Sequence, residues 1–294
     1  MTFTLSYEAP TPLDYFESLV ADDAAFPLLE AAASLAQDDA PALDVQAVLI
    51  EIDQLAVQFK RRVPADAQPL QRLRLLNRFF FQQMGFAGNV NDYHDRRNSY
   101  LDAVLHTRRG IPITLAVLYV EVARQSGLVA EGVSFPGHFL VKLRLRQGLL
   151  PGEVLIDPCT GHSLSREELT ERLAPYRRQH ALPGDDELPL ALFLQSATPR
   201  ETLSRMLRNL KEVHRRAQDW PRLLQVQRRL VVLLPEAWEE RRDQGLAYLR
   251  LGCRDEAAAD LAAYLAHRPD AEDRAAVEGR LSALRPAPPP PRLH

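Results

Sequence analysis

The sequence predicts an α+β chain: a helical N-terminal layer, a core in which one buried helix precedes a small antiparallel sheet, and a helical C-terminal tail. Three observations carry this expectation. Apolar residues recur at helical spacing through the first hundred residues, between Pro and Gly breaks. Ile113 to Arg124 is apolar almost all the way round, and the alternating run His138 to Arg146 follows it. From Thr202 onward the pattern is helical again, with Pro235 and Pro269 spaced 34 residues apart.

The N-terminal layer spans residues 1–97. Thr11-Pro-Leu-Asp14 offers a capped helix start, Phe26 to Ala36 a short apolar helix, and Val45 to Arg62 a longer one with Val48, Leu49, Ile52, Leu55, Ala56 and Phe59 at helical spacing. Leu70 to Met84 reads as a further helix stopped by Gly85, with Phe79 to Phe81 as core filling. A core follows over residues 98–182. Ser99 to Arg109 is a short helix, Gly110 and Pro112 mark the entry to the buried one, and Gly127 ends it. Leu128 to Ser134, His138 to Arg146 and Glu153 to Asp157 read as strands, and Ser163 or Ser165 caps a helix through Leu173. Pro183-Gly184-Asp185-Asp186 signals a linker.

Residues 200–284 form the helical tail, and residues 285–294, with PAPPPP inside, read as a disordered end. Gly245, Tyr248, Ala257, Leu261, Tyr264 and Pro269 fall at the spacings of a tetratricopeptide repeat, with small residues where two helices cross and a proline at the end of the unit. The preceding copy is degenerate, with Lys211, His214 and Leu223 in the places of Gly245, Tyr248 and Ala257.

At 294 residues, 46% hydrophobic and 26% charged, the composition excludes extended disorder. Two cysteines, Cys159 and Cys253, cannot make a four-cysteine zinc site and point to a reducing compartment. The N-terminus MTFTLSYEAPTPLDYF has no basic segment followed by an apolar core, and no run of 18 apolar residues occurs, so a cytoplasmic protein that neither is exported nor spans a membrane is expected. The net charge of −3 hides an asymmetry: residues 1–59 carry eleven acidic side chains and no Lys or Arg. From Lys60 to Arg109 ten basic residues face four acidic ones, so the early segment either presents solvated helix faces or lies over basic surface of its own chain. Near-neutrality and the lack of an aromatic-interleaved basic motif argue against nucleic acid.

Chemistry concentrates in Gly110-Ile-Pro-Ile-Thr114, Phe135-Pro-Gly-His138-Phe and Leu155-Ile-Asp157-Pro158. A buried helix whose start abuts a sheet carrying a His, with an acid on the next strand, is a scaffold for thiol acyl transfer. There the helix start lowers the nucleophile's pKa, the His shuttles the proton and the acid orients the imidazole. A hairpin turn centred on Gln147-Gly148 would set His138 directly opposite Asp157, on one face. A competing turn around Pro151-Gly152 would break that register.

The run NSYLDAVLHTRRGIPITLAVLYVEVARQSGL, then FPGHFLVKL, then LIDPCTG, resembles the transglutaminase-like (papain-like) core of the bacterial SirB family, in which such a core precedes tetratricopeptide-type helices. The resemblance is close over residues 98–161 and looser over 30–270. It implies a Gly-x-Cys opening the buried helix, with an Ala four residues and a Gly fifteen residues after the Cys. Gly110, Ala116 and Gly127 match without gaps, which places Pro112 in the nucleophile's position. Proline offers no nucleophile and is at home in the first turn of a helix. Thr114 is the nearest hydroxyl, expected to cap backbone N–H groups rather than attack. Cys159 could approach His138 from the loop after the strand, and Cys253 reads as a small buried hydrophobe.

His94, His106, His138 and His162 with Asp92, Asp95 and Asp157 lack metal-ligand spacing, and Gly110 belongs to no phosphate-cradling loop, so neither metal nor cofactor is expected. The loop Phe86 to Tyr100 either satisfies its own backbone or places Tyr93 and Asn98, with Arg109, along a cleft beside Pro112 and His138. The resulting expectation is a transglutaminase-like protein without the usual Cys, a protein-binding or regulatory module that contacts protein or peptide segments through the core cleft and the helical tail. The alternative is an amide-directed hydrolase or acyltransferase that uses His138 and Asp157 with water, Thr114 or Cys159. Oligomeric state stays open.

Overall fold

A computed structural model describes residues 10–147, 150–184 and 187–284. The N-terminal sequence expected to carry no leader begins outside this range; Gly148 of the turn, Asp185-Asp186 of the linker and the proline-rich end also lie outside the described residues. The chain forms two compact units, Met1–Asn209 and Leu210–His294.

In the first unit, Thr11 opens α1 (Pro12–Val20) with a reciprocal capping box to Asp14. α2 (Leu28–Ser34) runs into a single 3₁₀ turn, and Asp44 caps α3 (Val45–Lys60), whose Val48, Ile52, Leu55 and Phe59 are buried as their spacing requires. The helix expected over Leu70 to Met84 is two pieces: α4 (Pro69–Asn77) continues as a π-helical turn, Arg78–Gln83. A π turn carries an extra residue, which lets the consecutive Phe79 and Phe80 both enter the core. Phe80 stacks on Phe86 with centroids 4.3 Å apart and meets Tyr119 edge-on at 5.3 Å.

Two short strands, β1 (Ala87–Gly88) and β2 (Arg109–Gly110), pair in parallel on either side of a 3₁₀ turn (Arg96–Ser99) and α5 (Leu101–Thr107). α6 (Pro112–Gln125) is the expected buried helix, with buried side chains at every position from Pro112 to Tyr119. It packs on α3, α5, β3 (Val129–Val133) and β4 (Leu140–Gln147). β5 (Leu150–Ile156) and β6 (Ser163–Leu164) complete a four-stranded antiparallel sheet in the order β3-β4-β5-β6.

The sheet is covered on both faces. Val141 and Leu143 alternate with Leu140, which joins Leu155, Leu164, Leu169, Leu173 and Leu190 in a separate apolar cluster. That cluster is built by α7 (Arg166–Gln179), capped by a Ser165–Glu168 capping box. α7 does not end at Leu173 as expected but continues through Pro175, because Tyr176 packs on the same cluster and holds the next turn in place. Two ion pairs tie the acidic N-terminal helices to later basic residues, Asp39 to Arg96 at 2.6 Å and Asp23 to Arg200 at 2.7 Å.

α8 (Pro199–Ala217) spans the division between the units. The second unit continues with α9 (Trp220–Leu233), α10 (Trp238–Leu251), α11 (Arg254–His267) and α12 (Arg274–Leu284). α10 and α11 form the well-matched repeat. A Cβ on Gly245 would lie 3.0 Å from Leu261 Cγ, so the small residue sets how closely the helices cross. Ala257, Leu261 and Tyr264 are buried at the same crossing. In the degenerate copy Lys211 cannot serve as a small residue; its Nζ instead bridges Glu240 and Asp243, each at 2.6 Å. Cys253 is half-buried at the N-cap of α11, not the buried hydrophobe expected.

Candidate functional site

His138 sits in the bend before β4, after Gly137 at a φ of +70°. The β4–β5 register pairs Val141 with Ile156 and Gln147 with Leu150. Pro151 and Gly152 are paired residues of β5, which removes the competing turn. The register is displaced by two residues from the one that would set His138 directly opposite Asp157. A two-residue displacement preserves the face of each side chain, and His138 reaches Asp157 from the bend: Nε2 lies 3.2 Å from Asp157 Oδ1. The approach is short but poorly aligned, and Nε2 is buried without a well-directed hydrogen bond. Nδ1 has no partner among the described residues, and the side chain is 23% exposed.

Asp157 is the hub. Oδ1 also accepts from the Cys159 backbone N–H at 2.9 Å, and Oδ2 accepts from Arg172 Nη1 at 3.0 Å. Burial pushes the carboxyl pKa up, but the His138 contact, the Cys159 amide and Arg172 together hold it well below the usual carboxylate range. Arg172, on α7, was not anticipated; its sequence signal is only a cation beside the core residue Leu173 on an amphipathic helix.

Cys159 lies against β1, where a Cβ on Gly88 would come within 3.0 Å of its Sγ, and its carbonyl accepts the Gly88 N–H at 3.2 Å. Burial and then the neighbouring Asp157 carboxylate push its thiol up to about 12, outweighing the opposite pull of Arg172. Such a thiol is protonated at neutral pH, the reverse of an activated nucleophile.

Thr114 is fully buried. Its hydroxyl does not cap N–H groups as expected; its one proton is shared between the Asn98 carbonyl at 2.7 Å and the Ile111 carbonyl at 3.0 Å. Pro112 occupies the first turn of α6 and is itself buried.

Asn98, 2% exposed, organises the loop. Its Nδ2 donates to the Asp92 carbonyl at 2.7 Å, and its Oδ1 accepts from Asn89 Nδ2 at 3.0 Å. Asn89 also donates its backbone N–H to the Gly110 carbonyl at 3.1 Å. β1 and Asn89 therefore join the two groups of expected site residues, Gly88 touching Cys159 and Asn89 touching Asn98. Arg109 is committed to backbone, its Nη1 donating to the Gly85 carbonyl at 2.6 Å. Tyr93 is 57% exposed and near enough to Arg205 to bear on its charge. Arg205, also unanticipated, donates to Ser134 Oγ at 2.8 Å and the Phe135 carbonyl at 2.9 Å, bracing the turn that carries His138.

The remaining histidines do not converge here; His162 faces Glu168 at 3.3 Å. Among the described residues no group of three or more His, Cys, Asp or Glu side chains could hold a metal ion, and no helix is long and apolar enough to cross a membrane.

Residues 46–208 match the family described as Transglutaminase-like superfamily, and residues 210–282 match Tetratricopeptide repeat. The chain is 38% identical over 270 residues to a UPF0162 protein of Xylella fastidiosa (strain 9a5c), covering 90% of this chain and 92% of that one. It is 27% identical over 264 residues to a UPF0162 protein of Vibrio cholerae serotype O1, covering 88% and 93%. A stretch of 72 residues is 44% identical to F-box only protein 21 of Mus musculus, 24% of this chain and 12% of that protein. No solved structure matches the chain. The chain therefore belongs to the transglutaminase-like superfamily, among the UPF0162 proteins, and carries tetratricopeptide repeat helices after that domain.

Proposed function

We propose that this chain, whose core resembles that of the SirB family, is a cytoplasmic transglutaminase-like protein that has lost its nucleophile and works as a protein-binding or regulatory module. The observation that carries this reading is Pro112 at the start of α6, where the resemblance implies a cysteine. The two possible substitutes point the same way: Cys159 has a thiol pushed up to about 12, and Thr114 has its hydroxyl bound to two carbonyls. Asn98 and Tyr93 then serve a binding cleft, Asn98 by shaping its loop and Tyr93 by its exposed ring, while Arg109 braces the backbone beside it.

The second binding element is a groove of about 560 Å³ in the repeat unit, where Trp220, Leu246 and Leu249 lie among Lys211, Arg215, Arg250 and Arg280, with Asp243 the one acid in the lining. That lining suits a protein segment carrying carboxylates beside apolar side chains. Anisotropy of a labelled Glu- and Leu-rich peptide against the full chain tests this: Arg250→Glu with Arg280→Glu should weaken binding at least tenfold. Equal binding by native and variant chains would remove the groove from the proposal.

A hydrolytic reading keeps one specific support. His138 approaches Asp157 at 3.2 Å and leaves Nδ1 unbonded among the described residues, an arrangement that could activate water. It predicts amide hydrolysis by the native chain that His138→Ala abolishes.

A further inference from the structure

A cavity of about 430 Å³ opens in the first unit among α2, α3 and α6, and none of the site residues above lines it. Its apolar surface includes Phe26, Leu49, Val117, Val120 and Phe139. Three carboxylates share that lining, Glu30 from α2, Asp53 from α3 and Glu121 from α6, against one guanidinium, Arg124.

Each carboxylate is held by neutral groups alone. Glu30 accepts from the Tyr15 hydroxyl and from Gln46 Nε2. Gln125 Nε2 donates to Asp53 Oδ1 at 2.6 Å and to Glu121 Oε1 at 2.9 Å, so one amide nitrogen holds two carboxylates as neighbours. Arg124 turns its Nε to the Ala130 carbonyl at 2.9 Å. Among the described residues no cation of the chain forms an ion pair with any of the three. Two adjacent carboxylates repel, and a cation placed between them relieves that repulsion. Asp53 is exposed and Glu30 and Glu121 are half-buried, so the carboxylates supply attraction at the mouth, and the apolar wall adds burial of a ligand's hydrocarbon body. A volume near 400 Å³ is within the range of pockets that enclose a compact organic ligand.

We propose that this cavity binds an organic cation with an aromatic or alicyclic body, its ammonium set against Asp53 and Glu121 and its body against Val117, Val120 and Phe139. The excess of acid over base rejects anions of the same shape, and the apolar wall disfavours small hydrated metal ions. The site is independent of the protein-binding reading, since no residue of the cleft or of the repeat groove lines it.

Calorimetric titration of the full chain tests it with three probes that share one indole body: tryptamine, tryptophol and indole-3-propionate. Tryptamine should bind saturably at one site, tryptophol at least tenfold more weakly, and indole-3-propionate not measurably. Asp53→Asn with Glu121→Gln should bring tryptamine down to the tryptophol level, and Val120→Trp, which fills the cavity, should remove binding. Equal affinity for the three head groups overturns the proposal. So does the absence of saturable binding by both tryptamine and 2-cyclohexylethylamine. The head-group series needs only the native chain, so it decides the matter even where a variant fails to fold.

Discussion

Alkylation of Cys159 distinguishes a structural thiol from a displaced nucleophile. With its thiol pushed up to about 12, about 3 × 10⁻⁵ of Cys159 is thiolate at pH 7.5, against about one tenth for an ordinary cysteine near 8.5. A more basic thiolate is also more nucleophilic, and a Brønsted slope of about 0.45 restores roughly fortyfold of that difference. The folded chain should therefore react on the order of a hundredfold more slowly at Cys159 than the urea-unfolded chain does, before any loss of access is counted. Iodoacetamide labelling followed by peptide mapping reads both rates for the same residue. The folded rate should also climb with pH through 10 without levelling. A folded Cys159 that labels as fast as the unfolded one at pH 7.5, or a plateau below pH 9, would refute the reasoning and restore Cys159 as a candidate nucleophile.

Other consequences are equally direct. Because folding lowers the Asp157 pKa, the stability it contributes is present above about pH 4, the unfolded carboxylate value, and is lost as pH falls through its folded value. Asp157→Asn should therefore flatten the acid limb of the stability profile. At pH 7 it should cost about 2 kcal/mol in urea unfolding, less than a fully buried pair because the Arg172 side chain is 40% exposed. Thr114→Val removes the donor to the Asn98 and Ile111 carbonyls while keeping volume, and should cost about 1 kcal/mol in the same assay. Gly245→Val forces side-chain atoms into Leu261 and should destabilise the repeat unit by about 2 kcal/mol, read as a lower melting temperature.

Much of the fold was legible because its signals are local. The capping boxes at Thr11 and Ser165, the all-round apolar α6 and the Gly245–Pro269 spacing each lie within one or two helices, and each formed as its chemistry requires. The alternation of β4 fixed which residues share a face, but alternation has period two, so it could not exclude a two-residue displacement of the hairpin. His138 and Asp157 met for that reason, through the bend rather than across the strands. What sequence could not reveal was contact between distant segments. Arg172 reaches Asp157 from α7, Arg205 braces the His138 turn from α8, and Asn89 joins Asn98 to Gly110. None of these has a spacing signature. Thr114 departs from the capping expectation for a related reason: a hydroxyl at a helix start accepts or donates according to what stands opposite, and here the Asn98 carbonyl does.

The central claim, a transglutaminase-like core without a working nucleophile, is tested most directly by ammonia release from a glutamine-containing peptide in the presence of a fluorescent primary amine. The account predicts no release above buffer and no amine incorporation, with native chain and His138→Ala indistinguishable. Release by the native chain that disappears in His138→Ala would contradict it.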